Sequence, residues 1–544
     1  MDTPSSAQPP HPDEPRATDA TGLRPNRTRF SFARVLVFLI GVAVVTLAIT
    51  GAWSTYWAEQ RNDQYELLHL GQCVYNGQRM YVDCWENKPP GIAWINALGI
   101  ALSGGRQIGA WVTPGVTLLL CLAISAYAMK RVLSATAAWG TLLIGAAITT
   151  LRLYDTPSIN PDFYSSMFEL AACSVWLLSL CAERMRRRIW LGLAAGLLWA
   201  AATAVKQTGV VGLLAVSTVA IVLTALKQPE RRRWLGAGGL AWIGFALGAA
   251  AVTGVLHYRE TLGPAWAAIF EFNRGLLTSD SITSALTSWS RIRAGLGPVQ
   301  LPLWLALIGV VTTVLTVRVN RLSRGLACAM LLWWIAQVVL ALLGPSRSMR
   351  YWQATWPAML WLAAIGIYHL EETFRRLDRA HRGAVAIACA TVVVLLGRPL
   401  VDHYEHGLAT SYLAHLREYT DRDRLENVGR EIQALVPEDQ PVYVWAYDAG
   451  IYVYASRRAA SRFTYPRSED QMREILADLE AGKAYAIMVP EEGSAVFDRW
   501  CDKNCHDHLA EILSRYEVTT TIGPYPAWIQ PAEVDAGPRE TDPP

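Results

Sequence analysis

A series of long apolar stretches constrains this chain of 544 residues more than any other feature. A helix needs about 20 mostly apolar residues to cross about 30 Å of hydrocarbon. Eleven stretches approach this length, at 35–53, 108–129, 134–151, 163–182, 189–204, 209–226, 235–256, 300–317, 325–344, 353–369 and 383–401. A shorter one, 91–103, is expected to form a re-entrant or interfacial helix. Since 52% of the residues are hydrophobic and only 17% are charged, a single water-soluble domain is excluded. The sequence predicts a polytopic α-helical membrane protein.

Basic residues between these stretches indicate which ends face the cytoplasm. Lys and Arg number 5, 2, 4, 4, 3 and 4 in the segments 1–34, 130–133, 183–188, 227–233, 318–324 and 370–382. Short loops on the opposite side hold fewer, namely Arg152 in one, Lys206 in the next, and Arg347 and Arg350 in a third. Because Lys and Arg accumulate on the cytoplasmic side, the N-terminus is predicted to be cytoplasmic. Eleven spans then place residues 402–544 outside, in a protein of the cell (inner or plasma) membrane.

Charge divides the chain into a basic body and an acidic outer part. Residues 1–401 contain 35 basic and 20 acidic side chains, whereas residues 402–544 contain 14 basic and 26 acidic side chains. Helix-like and strand-like patterns alternate between 424 and 530, which predicts a small α/β domain. The expected organisation is a disordered cytoplasmic tail (1–34), a transmembrane domain (35–401), an extracytoplasmic α/β domain (402–531) and a disordered tail (532–544).

Four of the nine cysteines lie in the predicted outer regions, where disulfides form. Whether Cys73 and Cys84 pair is left open by the sequence. The motif Cys501-x3-Cys505-His506-Asp507-His508 fits a local disulfide, two free thiols or a metal site, and the first two are favoured.

The outer domain also contains an aromatic cluster, formed by Tyr443, Trp445, Tyr447, Tyr452 and Tyr454. Such rings either stack on sugars or fill a core, and a core role is the commoner one.

Ionisable side chains cluster at the outer ends of the predicted spans, where an ionisable group by default suggests function. The first outer loop carries Asp63, and Lys88 precedes a Pro-Pro pair that fixes the backbone near the loop's end. The second outer loop runs from Arg152 past Asp155 to Asp162. A third group comprises Lys206, Arg347, Arg350 and Tyr351. Any one of these charges alone is ordinary for a solvated loop, but loop composition does not explain the combination.

Four motifs carry a family resemblance that covers about residues 35–400. They are Asp63-Gln64, Gly77-Gln78-Arg79-Met80-Tyr81-x-Asp83-x-Trp85-x-Asn87-Lys88-Pro89-Pro90, Asn160-Pro161-Asp162 and Lys206-Gln207-Thr208-Gly209. Together they resemble the GT-C membrane glycosyltransferases of the family 39 type. That family includes protein O-mannosyltransferases and bacterial lipid A aminoarabinose transferases. The chain departs from it at Gln64, where relatives often have Glu, and at Arg350-Tyr351, where many have His-Tyr.

The resemblance implies the GT-C fold, with about eleven transmembrane helices. It also implies transfer of a sugar from a polyprenyl-phosphate to an acceptor glycan, lipid or protein on the outer side. Asp63 would then act as the base, and Asp162 would orient hydroxyl groups. The donor phosphate would be bound by Lys88, helped by Lys206 or Arg347, because cations stabilise charge that develops on a leaving phosphate. Further residues expected to bind acceptor or sugar are Tyr81, Glu86, Asp155, Arg350 and Tyr351.

Two other classes of function remain as alternatives. A transporter or flippase for a lipid-linked glycan would need related halves and charges at mid-membrane, and the sequence has no internal repeat. A membrane sensor or scaffold would use the outer domain for binding. The sequence implies no cofactor and no nucleic-acid partner, and it leaves a divalent metal ion open.

Overall fold

A computed structural model describes residues 32–57, 62–151, 156–275, 293, 296–315, 321–343, 349–415, 421–490 and 494–530. Long helices dominate these residues, and a small mixed sheet lies near the C-terminus. The helices of the first part are α1 Phe32–Trp57, α2 Asn62–Tyr75, α3 Gly91–Leu102, α4 Ile108–Val132, α5 Ala135–Ile148, α6 Pro161–Cys181, α7 Met185–Val205, α8 Val211–Ala225, α9 Arg231–Tyr258, α10 Leu262–Trp266, α11 Asn273–Gly275, α12 Gln300–Leu315, α13 Arg321–Leu343, α14 Trp356–Arg376 and α15 Arg379–His415.

Every apolar stretch predicted to span a membrane falls on one of these helices, and 91–103 falls on α3. Among the described residues, eight helices are both long and apolar enough to cross a membrane, namely α1, α4, α6, α7, α8 (with the 3-10 turn before it), α9, α13 and α15. Two further predicted spans, α5 and α12, are apolar but shorter. The remaining one, α14, has a polar C-terminal part. The predicted multi-pass helical architecture is therefore confirmed.

Local sequence signals set the helix ends that carry the candidate site. Asn160 caps α6, because its side-chain oxygen accepts a hydrogen bond from the Phe163 N–H at 3.1 Å. Pro161 follows at the first helical position, which suits its fixed backbone angle. Asp162 consequently lies in the first turn of α6. At the other end of the adjacent helix, α7 stops at Val205, and Lys206 adopts an extended backbone before the 3-10 turn Gln207–Val210.

The helices α7 and α9 cross at very short range because glycines face each other. A Cβ atom on Gly196 would come within 2.0 Å of the Ala241 carbonyl oxygen, and one on Gly244 within 2.2 Å of the Leu193 oxygen. Small residues of this kind let membrane helices approach closely. An apolar groove lies next to this crossing and is lined by the C-terminal halves of the two helices.

The part of the chain that is predicted to lie outside (421–530, the outer unit) folds as a small α/β unit, as the alternating pattern predicts. Its elements are α16 Asp421–Leu435, β1 Val442–Val444, α17 Gly450–Ala455, α18 Glu469–Glu480, β2 Ala486–Met488, α19 Ala495–Asp498, α20 Lys503–Leu513, β3 Glu517–Ile522 and β4 Tyr525–Ile529. The strand order is β1-β2-β4-β3. The β1 and β2 strands are parallel, with Val442 opposite Ala486, and the other two pairs are antiparallel.

This unit shares a core with the first outer loop. Tyr65 and Leu68 of α2 are buried in the same apolar cluster as Leu425 and Val428 of α16 and Ile451 of α17. The helix α2 therefore lies between the membrane helices and the outer unit. The cluster also includes Tyr452, whereas Tyr443 and Trp445 belong to a second outer core, so much of the aromatic cluster fills the interior.

Both outer cysteine pairs form disulfides. Cys73 is bonded to Cys84, which joins the end of α2 to the following loop. Cys501 is bonded to Cys505 at the start of α20.

Candidate active site

The helix α2 carries two carboxylates that are each paired with an arginine. Asp63 and Glu66 are three residues apart and so lie on the same helix face. A guanidinium nitrogen of Arg350 lies 2.6 Å from Asp63 Oδ2. The Tyr447 hydroxyl donates a hydrogen bond to Asp63 Oδ1. Asp63 is thus held by a residue after α13 and by a residue of the outer unit.

These contacts keep Asp63 ionised. Burial by itself would raise its pKa, but the charge of Arg350, the hydrogen bond from Tyr447 and the charge of Lys88 lower the pKa to about 2. Asp63 therefore carries a negative charge throughout the physiological pH range.

Lys88 is held by the loop that precedes α3. Its ammonium lies 2.7 Å from Glu86 Oε1, and Glu86 is fully buried. Its carbonyl oxygen accepts a hydrogen bond of 2.8 Å from the Tyr81 hydroxyl. Tyr81 is itself fully buried and has a φ of 73°, in the left-handed region. Tyr81, expected to bind acceptor or sugar, thus anchors the loop that presents Lys88.

An arginine of the outer unit completes this group. The Arg467 guanidinium lies 2.8 Å from each carboxylate oxygen of Glu66, and 3.2 Å from Glu86 Oε1. It also donates a 2.8 Å hydrogen bond to Asn87 Oδ1. The Tyr465 hydroxyl donates a 2.9 Å hydrogen bond to Glu66 Oε2. One guanidinium therefore bridges α2, the loop before α3 and the outer unit.

The two carboxylates that share Arg467 differ in acidity. Burial, with the nearby charges of Glu86 and Asp63, raises the pKa of Glu66 to about 7 despite Arg467. Glu86 is also buried, but Arg467 and Lys88 both act on it and lower its pKa to about 2. Glu86 is thus the permanent anion beneath Lys88, and Glu66 titrates near neutrality.

A second ion pair lies beside the first group. Lys206, at the end of α7, pairs with Asp162, in the first turn of α6. The Lys206 ammonium also lies 4.6 Å from the centre of the Tyr351 ring, and the Arg350 guanidinium lies 5.9 Å from the same ring. The negative charge of Asp162 acts on Arg350 as well. Tyr351 and Arg350 therefore connect the Asp162–Lys206 pair to Asp63.

The described part of this site contains equal numbers of opposite charges. Its four carboxylates belong to Asp63, Glu66, Glu86 and Asp162, and its four cations to Lys88, Lys206, Arg350 and Arg467. Two residues expected here, Arg347 and Asp155, lie outside the described residues. The structure brings together the remaining predicted site residues, and it adds Tyr447, Tyr465 and Arg467. Tyr447 belongs to the aromatic cluster seen in the sequence, but no local pattern marks Tyr465 and Arg467, because their partner Glu66 is about 400 positions away.

An apolar groove of about 850 Å³ opens next to Lys88 and Lys206. Its lining includes Pro89 and Pro90, which follow Lys88, and Gln207, which follows Lys206. Its walls come from α7, α9 and the π-helical segment Ala267–Phe272. Asn273, just after that segment, donates a 2.7 Å hydrogen bond to the Asn87 carbonyl oxygen. A charged pocket and a long apolar groove thus share one border.

Among the described residues, only His69, Cys73 and Cys84 are grouped closely enough to hold a metal ion by donor type and distance. The two sulfurs of this group are joined to each other in the disulfide. The four carboxylates of the charged pocket are each paired with Lys or Arg.

Comparisons with known proteins can now be set beside this geometry. Residues 87–258 match the family model of dolichyl-phosphate-mannose-protein mannosyltransferase. The matched part begins at Asn87, includes Lys88, Asp162 and Lys206, and ends at Tyr258 in α9. A search of curated protein sequences finds no match.

Solved structures with a similar fold cover nearly the whole chain. ArnT from Cupriavidus metallidurans bound to undecaprenyl phosphate aligns with 93% of this chain and 100% of its own, at 15% identity and a TM-score of 0.58. An apo oligosaccharyltransferase from Archaeoglobus fulgidus aligns with 85% of this chain and 70% of its own, at 13% identity and a TM-score of 0.52. The oligosaccharyltransferase AglB from that organism, in complex with an inhibitory peptide and a dolichol-phosphate, aligns with 93% of this chain and 75% of its own. The identity is 12% and the TM-score is 0.50.

The substitution Arg467→Gln tests whether this residue holds the site together. It would leave Glu66 and Glu86 buried without their shared cation, and removal of one partner of a buried ion pair costs about 3–5 kcal/mol. We expect a clear fall in the thermal unfolding temperature of the purified protein in detergent. Arg473→Gln, on the same outer unit, is the matched control, since Arg473 is exposed and pairs only with Asp470. Equal unfolding temperatures for the two variants would contradict the bridging role.

Proposed function

We propose that this chain, which has the fold of the GT-C membrane glycosyltransferases, transfers a sugar from a polyprenyl-phosphate to an acceptor hydroxyl. One arrangement supports the proposal: Asp63 and Lys88 belong to one group of ion-paired side chains, and the two prolines that follow Lys88 line an apolar groove. A lipid-linked sugar has the matching parts, namely a sugar and a phosphate at the end of a long apolar tail. The ArnT structure with undecaprenyl phosphate and the AglB structure with a dolichol-phosphate support a donor of this class.

The donor phosphate would bind where Lys88 and Lys206 flank the mouth of the groove. In the reaction, the bond between the anomeric carbon and the phosphate oxygen breaks, and its electrons stay on the phosphate. A phosphodiester with one negative charge thereby becomes a phosphate monoester with two. The ammonium groups of Lys88 and Lys206 stabilise this developing charge through charge-assisted hydrogen bonds. Arg347 stays a further candidate for this role, outside the described residues.

The acceptor hydroxyl would be deprotonated by Asp63. As its oxygen bonds to the anomeric carbon, its proton passes to the Asp63 carboxylate. Negative charge then leaves Asp63 while it grows on the phosphate. Arg350 contacts Asp63 and is influenced by Asp162. Its guanidinium would move toward the phosphate as negative charge leaves Asp63 and develops there. Asp162 and Tyr351 would orient the sugar or the acceptor.

Arg350 and Tyr447 also lower the basicity of Asp63 before substrate binds. A carboxylate with a pKa near 2 is a weak base at neutral pH, because proton transfer is most effective when the two pKa values are matched. We infer that a bound donor phosphate draws Arg350 away from Asp63. Loss of that cation raises the pKa of Asp63 and strengthens it as a base only once the donor is in place.

The groove would hold the polyprenyl tail, and the outer α/β unit (402–531) would close the site from the aqueous side. We place the transmembrane domain (35–401) in the cell (inner or plasma) membrane, with the N-terminus and the preceding tail cytoplasmic. The distribution of Lys and Arg supports this orientation. The acceptor is a glycan, lipid or protein hydroxyl on the extracytoplasmic side.

The substitution Asp63→Asn tests the catalytic assignment. The amide is nearly isosteric but cannot accept the proton, so we expect transfer to fall by a factor of about 10² or more. The measurement is release of radiolabelled sugar from a polyprenyl-phosphate sugar by purified protein in vesicles. Asp470→Asn is the control, since Asp470 is exposed in the outer unit. Normal turnover by Asp63→Asn would remove this residue from the mechanism. Movement of label across the membrane without transfer would favour a transporter.

A pH profile tests whether the hydrogen bond from Tyr447 lowers the pKa of Asp63. A base must be ionised, so activity is lost as pH falls through its pKa, and a lowered pKa moves that loss to lower pH. Tyr447→Phe removes one hydrogen bond that lowers the pKa of Asp63. We therefore expect the acid limb of kcat/KM to shift upward in this variant. Tyr485→Phe, in the strand region of the outer unit, is the control. An unchanged acid limb in Tyr447→Phe would contradict the assigned contact.

The substitution Ala249→Trp tests the groove. Ala249 lines it, and the indole would fill space that the tail is proposed to occupy. We expect KM for a long-chain donor to rise about tenfold, equivalent to about 1.4 kcal/mol. A short-chain donor should be affected much less. Ala250→Trp is the matched control, because the next residue is exposed and does not line the groove. An equal effect on both donors would place the tail elsewhere.

A further inference from the structure

A second charged cavity lies at the far ends of the same helices. It measures about 870 Å³ and is formed where α4 ends and where α6 passes into α7. Its lining includes Arg131 from α4 and Arg184, Arg186 and Arg187 around the start of α7, with Glu183 as the one acidic residue. The 21 residues of α6 separate it from Asp162 by about 30 Å. It is therefore distinct from the candidate active site.

The arginines of this cavity lack carboxylate partners among the described residues. The ion pairs found there involve none of Arg131, Arg184, Arg186 and Arg187. Two of them, Arg131 and Arg187, reach the cavity from different segments, and the Arg131 guanidinium lies 5.5 Å from the Tyr127 ring centre. Converging cations from two separate segments repel each other unless an anion lies between them. Their arrangement calls for an anionic ligand.

The surroundings place this cavity at a membrane interface. Leu178, Leu191 and Cys181 form its apolar side, at the ends of helices that qualify as membrane spans. Trp190 lines the cavity and is 63% exposed, and Tyr127 beside it is 43% exposed. Trp and Tyr favour the level of the lipid headgroups, where one side of the ring is apolar and the other is wet.

We propose that this cavity binds the phosphate of an anionic phospholipid in the leaflet at that end of the helices. The planar guanidinium donates paired hydrogen bonds to phosphate oxygens, which makes arginine well suited to this group. The apolar side of the cavity would contact the upper part of the acyl chains. Orientation in the membrane accounts for the presence of basic residues at this end, but not for four arginines that line a single cavity from two segments. The proposal does not depend on the proposed sugar transfer.

The test measures lipid binding by the purified protein in detergent, using native mass spectrometry. Phosphatidylglycerol and phosphatidylcholine with identical acyl chains are compared, together with inorganic phosphate. We expect phosphatidylglycerol to bind at least about tenfold more tightly than phosphatidylcholine. The double variant Arg131→Gln/Arg187→Gln should lose this preference. Arg231→Gln/Arg232→Gln is the matched control, since it removes the same charge at the start of α9, outside the cavity lining, and should keep it.

Three results would overturn the proposal. These are equal binding of the two lipids, an equal loss of preference in both double variants, and displacement of phosphatidylglycerol by inorganic phosphate that itself binds the cavity. The last result would assign the cavity to free phosphate. A measurement on the unmodified protein covers the case in which a variant fails to fold. Phosphatidylglycerol, but not phosphatidylcholine, should slow amide hydrogen exchange in 130–133 and 183–190, and unchanged exchange there would contradict the site.

Discussion

The contact on which this structure most depends is the one between Arg467 and the carboxylates of Glu66 and Glu86. All three groups are largely removed from water, and one guanidinium satisfies both acids. Buried charges are costly unless they are paired, so each partner fixes the position of the others. Through this contact the outer unit determines where α2 presents Asp63 and where the following loop presents Lys88. The candidate site is thus a joint product of two parts of the chain.

The balance of charge in the site bears on how it would work. Four acidic and four basic side chains already pair with one another in the described residues, so a donor phosphate of the proposed kind would have to compete for cations that are in use. Such competition couples ligand binding to the state of the carboxylates. The coupling is direct at Arg350, which contacts Asp63 and is influenced by Asp162. It is less direct at Lys88, whose partner Glu86 is also held by Arg467.

Apolar length was enough to predict the long helices, and the motifs that carry the family resemblance indicated the loops in which Asp63, Lys88, Asp162 and Lys206 lie. The reason is that each helix is defined by local composition, and helix ends on one side of a membrane meet at similar depth. Arg467 could not be found in this way, because it lies 401 positions from Glu66 and no pattern around it differs from that of an ordinary surface loop. Short elements such as α17 and β4 cannot be located in this way either, since their few residues carry little periodicity.

The shared core between α2 and the outer unit has a consequence for how such proteins diversify. Tyr65 and Leu68 pack directly against Leu425 and Ile451, so the outer unit is not an appendage that recombination could exchange freely. A replacement unit from a distant relative would have to reproduce this packing and also supply an arginine at one particular point. Substitutions are therefore expected to be tolerated at the rim of the outer unit, whereas its inner face is constrained by the packing against α2.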